Sequence, residues 1–396
     1  MVSKKMLALG RNSSVIRDIA EYGRQRSEQV GAENVFDFSI GNPSVPAPEL
    51  VTDTLQALIE QTPAVDLHAY TPAPGDFGVR QAVAQYVQNT FGCPAKPEYI
   101  YMTAAASASL AISLHAIAEP GDEVMVFTPY FPEYRVFVEK TGAKFVAVNS
   151  AEKTFQIDKA ALLAAINERT KAVIVNSPSN PTGVVLNRES IETLAAVLTA
   201  KSAEYGHPIY LIADEPYREL VYGGVEVPYI PLLYKNTIVC YSFSKSLSLP
   251  GERIGYILVS PTAEDGDAIF DAVCGAGRAL GYICAPSLLQ QLVKRCLGAT
   301  ADISIYDENR KLLYAALTEY GYEAVYPDGA FYLFVKSLEP DANAFCEKAK
   351  NFDLLLVPAD SFGCPGYVRI AYCVTTEQIR RSLPAFRKLA ALYRGE

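Results

Sequence analysis

Lys245 stands in Ser242-Phe-Ser-Lys-Ser-Leu-Ser-Leu-Pro-Gly-Glu-Arg-Ile-Gly255, just past an apolar run, with hydroxyls around it and Arg253 beyond. A lysine lodged at the edge of a buried sheet loses proton affinity, and a neutral amine is what imine chemistry with a carbonyl compound requires. A loop lysine in solvent would present the same string. Asp214 ends the run Tyr210-Leu-Ile-Ala-Asp. A carboxylate there is costly to bury without a cation; a protonated ring nitrogen would satisfy it, as would an arginine or the start of the next helix. Thr103-Ala-Ala-Ala-Ser-Ala-Ser109 opens an apolar helical stretch. Its first amides are free to hold a phosphate, although most helix starts of small residues bind nothing. Asn180, in Ser177-Pro-Ser-Asn-Pro-Thr-Gly183, is either a side-chain donor in a proline-flanked loop or a simple turn former.

These groups need a frame, and the hydrophobic pattern supplies one. Residues 123–127, 144–148, 171–175, 209–213, 237–241 and 254–259 are short β-branched or aromatic runs that read as buried strands. Helical stretches such as 158–167 and 188–200 lie between them, so the expectation is an α/β fold with a mostly parallel central sheet. In such a sheet ligands bind beyond the carboxyl ends of the strands. The Asn180 loop, Asp214 and the Lys245 segment each follow a strand and therefore converge on one edge. After about residue 290 the pattern becomes that of a smaller α+β unit. The expected division is a large domain over 48–290 and a small one formed by 1–47 with 291–396.

Composition removes several function classes. Of 396 residues, 50% are hydrophobic and 20% charged, which excludes a disordered or coiled-coil chain. The balance of 35 basic against 44 acidic residues, net −9, offers no general field for nucleic acid. The apolar stretch at 6–10 is too short for a secretory signal, and no run approaches the roughly 18 apolar residues of a membrane span, so a cytoplasmic chain without a membrane partner is expected. Eight cysteines show no CxxC pair, and His68, His115 and His207 form no cluster, so no metal is expected.

Taken together the motifs resemble fold-type I pyridoxal-phosphate enzymes of the class I/II aminotransferase family, similar to aspartate aminotransferase. The resemblance rests on Gly41-Asn-Pro43, Tyr70-Thr-Pro with Gly75 and Arg80, Asn180-Pro-Thr-Gly183, Asp214-Glu-Pro-Tyr217, Ser242-x-x-Lys245 with Arg253, and Arg369, in that order over nearly the whole chain. It implies that Lys245 forms the imine with pyridoxal 5′-phosphate and then moves the substrate proton. It implies that Asp214 keeps the ring nitrogen protonated, that Tyr217 and Asn180 bond the ring's 3′ oxygen, and that Phe131 stacks on the ring, with Tyr130 a neighbouring candidate. The phosphate would be held by the amides of Ala105, Ala106 and Ser107, the hydroxyls of Ser242 and Ser244, and Arg253. Tyr70 would reach the phosphate of a second subunit, making the enzyme a homodimer with shared sites. Arg369 would clamp the substrate carboxylate, assisted by Asn180 and the Gly41 backbone.

Two departures from the family pattern stand out. Alanines 105 and 106 replace the usual glycines, which is tolerable where φ is negative, and Ala108 replaces a larger polar residue. The distal side of the substrate is read less directly. Ser107 takes the place of a lysine that some bacterial members use for a second carboxylate, whereas Arg278 lies near the spacing at which other members carry a distal-carboxylate arginine from the partner. Arg278 favours aspartate as donor and 2-oxoglutarate as acceptor in a ping-pong transfer; a surface arginine would favour an aromatic or aliphatic amino acid. Two other enzyme classes share part of this pattern. A carbon–sulfur β-lyase shares the same cofactor grip. A serine acyl-transfer enzyme would need Ser242-x-x-Lys245, Tyr234-Lys-Asn236 and Lys140-Thr-Gly142 in the opposite order.

Overall fold

The computed structural model describes residues 2–11 and 15–395. Its centre is a seven-stranded sheet of β1 (Ile100–Thr103), β2 (Glu123–Thr128), β3 (Lys144–Asn149), β4 (Thr170–Asn176), β5 (Tyr210–Asp214), β6 (Thr237–Ser242) and β7 (Gly255–Val259). The spatial order is β1-β7-β6-β5-β4-β2-β3. All neighbours run parallel except β7, which is antiparallel to β1 and β6. The fold is thus α/β with a mostly parallel central sheet. The six expected strands are each present within one residue at either end. Only β1 falls outside that expectation, because a four-residue edge strand leaves too short a pattern to read.

The central strands are predominantly apolar because both faces are covered, whereas the edge strand β3 alternates buried and exposed residues. Along β5, Tyr210 and Ile212 enter one core with Ile174, Ile238 and Val126. Leu211 and Ala213 enter the other, with Val173, Val175 and Val239. β4, β5 and β6 lie side by side and parallel, so Asn176, Asp214 and Ser242 end at the same edge.

A second, antiparallel sheet holds β8 (Ala324–Val325), β9 (Tyr332–Lys336), β10 (Val357–Pro358) and β11 (Tyr367–Ala371) in the order β10-β11-β9-β8. Arg369 of β11 pairs with Phe334 of β9. Far upstream, Phe36–Asp37 pairs in parallel with Leu354–Leu355, which fastens the amino-terminal segment to the carboxyl-terminal part. The core here joins Phe38 and Val45 to Phe331, Phe345, Ile370 and Phe386. The helix Ser287–Cys296 is cut by a boundary at residue 290, yet its Leu292, Val293 and Cys296 pack in the large core. No helix among the described residues is long and apolar enough to cross a membrane.

Candidate active site

Ser242 closes β6 and caps the short helix Phe243–Ser246, its hydroxyl accepting the Ser244 amide at 3.2 Å. That turn swings Lys245 inward. Its amine donates to the Gly41 carbonyl at 2.7 Å and lies 5.3 Å from the centre of the Phe331 ring. Burial lowers its pKa to about 8, and the positive neighbours Arg253 and Arg369 push the same way. A good fraction of the amine is therefore neutral under ordinary conditions.

Two carboxylates follow one another at the end of β5 and meet different fates. Both oxygens of Glu215 are taken by Arg218, at 2.6 Å each. Among the described residues, the Asp214 carboxylate receives the Tyr134 hydroxyl on Oδ2, at 2.5 Å, and its buried Oδ1 has no partner. Burial raises the Asp214 pKa to about 7, the Tyr134 bond opposing it. An acceptor held this way waits for a cationic donor.

The phosphate-sized corner is built from two turns. Ser242 Oγ and Ser244 Oγ stand 2.7 Å apart on one side, and the helix Ala105–Ile117 begins on the other. Gly255 lets them approach: a Cβ there would lie 2.2 Å from the Tyr241 carbonyl oxygen and 3.1 Å from the Cα of Ala105. Ala105 does not take the negative φ at which an alanine is free of strain: its φ is +68°. Arg253 is also left-handed, at +53°. A side chain in that region costs about 1 kcal/mol or more, and both strained residues border the same corner.

Arg369 is 2% exposed. Its guanidinium bonds Asn180 Oδ1 at 3.1 Å and the Ser39 carbonyl, while Nε is buried without a partner. The Tyr332 and Phe362 rings hold it, at 4.7 and 5.2 Å from their centres. Asn180 is in turn aimed by Asn176, whose Oδ1 accepts its amide at 2.7 Å. The Tyr217 hydroxyl meets that of Tyr332 at 2.9 Å.

One cavity of about 280 Å³ gathers Gly41, Ala105, Ala106, Ser107, Phe131, Asn180, Asp214, Tyr217, Ser242, Ser244, Lys245, Arg253 and Arg369. Its charged lining among the described residues is three cations and one carboxylate, which suits a ligand carrying a phosphate and a carboxylate. Tyr130 faces a separate small cavity and packs edge-on against Phe145, leaving Phe131 as the aromatic wall.

Residues 33–386 match the family described as Aminotransferase class I and II. The chain belongs to this aminotransferase family. It is 29% identical to the aspartate/prephenate aminotransferase of Thermus thermophilus, over 89% of this chain and 90% of that one. It is likewise 29% identical to the (5-formylfuran-3-yl)methyl phosphate transaminase of Methanocaldococcus jannaschii, over 98% and 99%. Among solved structures it resembles an amino transferase from Eubacterium rectale, with 54% identity, TM-score 0.98 and 99% of both chains covered. It also resembles Thermus thermophilus aspartate aminotransferase with maleate, with 26% identity, TM-score 0.86, and 98% and 99% covered.

This aminotransferase depends on pyridoxal phosphate, and the cavity fits that group: the unpartnered Asp214 Oδ1 suits a protonated ring nitrogen, and the Gly255-enabled corner suits the phosphate. Two residues expected at the site lie outside the cavity in the single chain. Tyr70 is 98% exposed, and Arg278 is exposed near the end of the helix Gly266–Leu280. Their segments adjoin, since Cys284 donates its amide to Ala73 O at 3.4 Å and its thiol to Thr71 O at 3.0 Å.

Sequence reasoning missed Tyr134, Asn176, Tyr332 and Ile16 of this aminotransferase's site. Asn176 ends a strand beside Asp214, a position that could have flagged it. Tyr134 and Tyr332 are two of 25 tyrosines, and nothing local marks them. Ile16 lines the cavity from the helix Val15–Val30, remote in sequence from every motif.

Proposed function

We propose that this aminotransferase moves the amino group of aspartate to a 2-oxo acid such as 2-oxoglutarate. The observation that carries the site assignment is the buried Asp214 Oδ1, without a partner, in the same cavity as an amine held near pKa 8. When bound, the cofactor supplies an electron sink for the carbanion formed at the substrate Cα. The Lys245 amine would hold the cofactor through its aldehyde carbon and, when free, would take the proton from the substrate Cα and deliver it to that cofactor carbon, across the nitrogen the two share. Asp214, held by Tyr134, keeps the ring nitrogen protonated. Tyr217 and Asn180 bond the ring oxygen, and Phe131 covers one ring face.

Ala105, Ala106, Ser107, Ser242, Ser244 and Arg253 bind the phosphate by amides, hydroxyls and charge. Arg369 fixes the α-carboxylate with a planar fork, assisted by Asn180 and the Gly41 backbone. The preference for aspartate rests on Arg278 and on aspartate in the name of the Thermus relative.

The working form is a cytoplasmic homodimer of two-part subunits, divided near residue 48 and just after the helix that ends at Cys296. The adjoining Tyr70 and Arg278 segments, with exposed Tyr282 and Ile283 beside them, form the face through which each subunit completes the other's site.

The test is a visible spectrum of purified protein loaded with pyridoxal phosphate. Aspartate should bleach the cofactor band and 2-oxoglutarate restore it. Bleaching by aromatic amino acids alone would overturn the substrate reading.

A further inference from the structure

Tyr332 is buried at the start of β9, lines the cavity and was marked by no sequence motif. It touches three parts of the site at once. Its hydroxyl is 2.9 Å from that of Tyr217, its ring lies 4.7 Å from the Arg369 guanidinium carbon, and a Cβ on Gly41 would sit 2.0 Å from its oxygen. Tyr217 follows β5 of the large sheet, whereas Tyr332 and Arg369 belong to neighbouring strands of the small one. The Tyr217–Tyr332 bond therefore joins the two sheets inside the site.

We propose that Tyr332 is a positioning residue that couples the two ends of the site: its hydroxyl donates to Tyr217 and its ring bears Arg369. The direction follows from counting protons. Each hydroxyl has one, and among the described residues the hydrogen-bond partner of Tyr332 is Tyr217. A bond from Tyr217 to Tyr332 would spend the Tyr217 proton and leave that of Tyr332 without an acceptor. The reverse uses both, freeing Tyr217 to donate into the cavity, and a donor that is itself hydrogen-bonded becomes a stronger one. Below the hydroxyl, the π face of Tyr332 and that of Phe362 restrain the guanidinium. Tyr332 thus acts through Tyr217 on the cofactor oxygen and through Arg369 on the substrate carboxylate. The inference rests on the roles proposed above for those two residues.

The experiment compares Tyr332→Phe, Tyr332→Leu and Tyr217→Phe as cofactor-loaded enzymes. Two quantities are read: the pH midpoint of the visible absorption change, and kcat and KM for the amino donor turned over fastest. Tyr332→Phe should raise the spectral midpoint by about 0.5 pH unit with KM within about twofold of the parent. Tyr332→Leu should raise the midpoint similarly and KM by about tenfold. Tyr217→Phe should raise the midpoint further, and adding Tyr332→Phe to it should change nothing more. An unmoved midpoint in Tyr332→Phe, with Tyr217→Phe shifted, overturns the proposal and leaves the Tyr217 role standing. An unmoved midpoint in Tyr217→Phe overturns that role and this inference with it. Circular dichroism establishes that the leucine variant folds, and the phenylalanine variant decides the hydroxyl role without it.

Discussion

The Lys245 amine and the Gly41 carbonyl meet at 2.7 Å, so the turn after β6 is tied to the segment that follows the Phe36–Asp37 strand and its pairing with Leu354–Leu355. This contact occupies the amine until an aldehyde displaces it, and burial leaves it about half protonated near pH 8. Capture of pyridoxal phosphate should therefore accelerate as pH rises toward about 8 and level off above it, where an ordinary lysine would keep gaining to about 10. Stopped-flow absorbance across that range is the measurement. Lys245→Ala should still bind the cofactor reversibly while losing at least about 10³-fold in kcat.

Asp214 carries a second pH dependence, of defined sign. Its pKa rises from 3.8 to about 7 on folding because the carboxyl is buried. The folded chain therefore holds a proton that the unfolded chain has already released, and stability present below about pH 4 is lost progressively as pH climbs to about 7. Glu219, buried and pushed to about 7 as well, adds to the same slope. Thermal melts of cofactor-free protein should show Tm falling over this window, less steeply in Asp214→Asn. Bound cofactor should flatten the slope by supplying the missing cation.

Fold and site were unequally legible in the sequence. The runs that became β2 and β4 to β7 are largely buried on both faces, so composition alone marks them, while β3 at the sheet edge shows through alternation, and the ends of β4, β5 and β6 carried Asn180, Asp214 and Lys245 where a parallel sheet must deliver them. The orienting layer was not legible. That Tyr134 supports Asp214, or that Tyr332 reaches Tyr217 across 115 positions of chain, depends on how helices and strands pack, and a tyrosine in a core has the same local pattern. The backbone at Ala105 was hidden for a related reason. Its φ of +68° occurs where the chain packs close to Gly255, a neighbour remote in sequence.

That approach gives a pair of opposed expectations. Gly255→Ala would put a methyl 2.2 Å from the Tyr241 carbonyl oxygen, backbone that cannot move aside, and should cost at least tenfold in cofactor affinity. Ala105→Gly relieves a left-handed alanine worth about 1 kcal/mol and gives part of it back as unfolded-chain entropy. It should leave Tm unchanged or slightly raised and cofactor affinity intact. Fluorescence titration with pyridoxal phosphate and a thermal melt check both.

For Arg369 the geometry argues against a conservative replacement. Its fork serves Asn180 Oδ1 and the Ser39 carbonyl together, between two aromatic rings, and a lysine has neither the planarity nor two separate donor nitrogens set at a fixed angle. Losing one charge-assisted bond of about 1.5–3 kcal/mol should lower kcat/KM by roughly 10- to 100-fold in Arg369→Lys, chiefly through KM. Steady-state kinetics with aspartate and with an aromatic donor should show the same loss, because the α-carboxylate is common to both.

Arg278 should behave in the opposite way. It is exposed in the single chain and adjoins the Tyr70 segment, so in the proposed homodimer its effect on the reaction would pass through the second subunit. Arg278→Ala should reduce kcat/KM for aspartate by about tenfold or more and leave an aromatic donor within about twofold, since only the distal carboxylate loses a partner. Tyr70→Phe should weaken cofactor retention for every substrate. Mixed dimers in which one subunit carries Arg278→Ala and the other Lys245→Ala settle the geometry. If Arg278 serves the partner's site, the site that keeps Lys245 receives the intact Arg278 of the Lys245→Ala subunit, and that dimer retains about half of the parental aspartate activity. Activity confined to the low level of the Arg278→Ala homodimer would place the arginine in its own subunit's site.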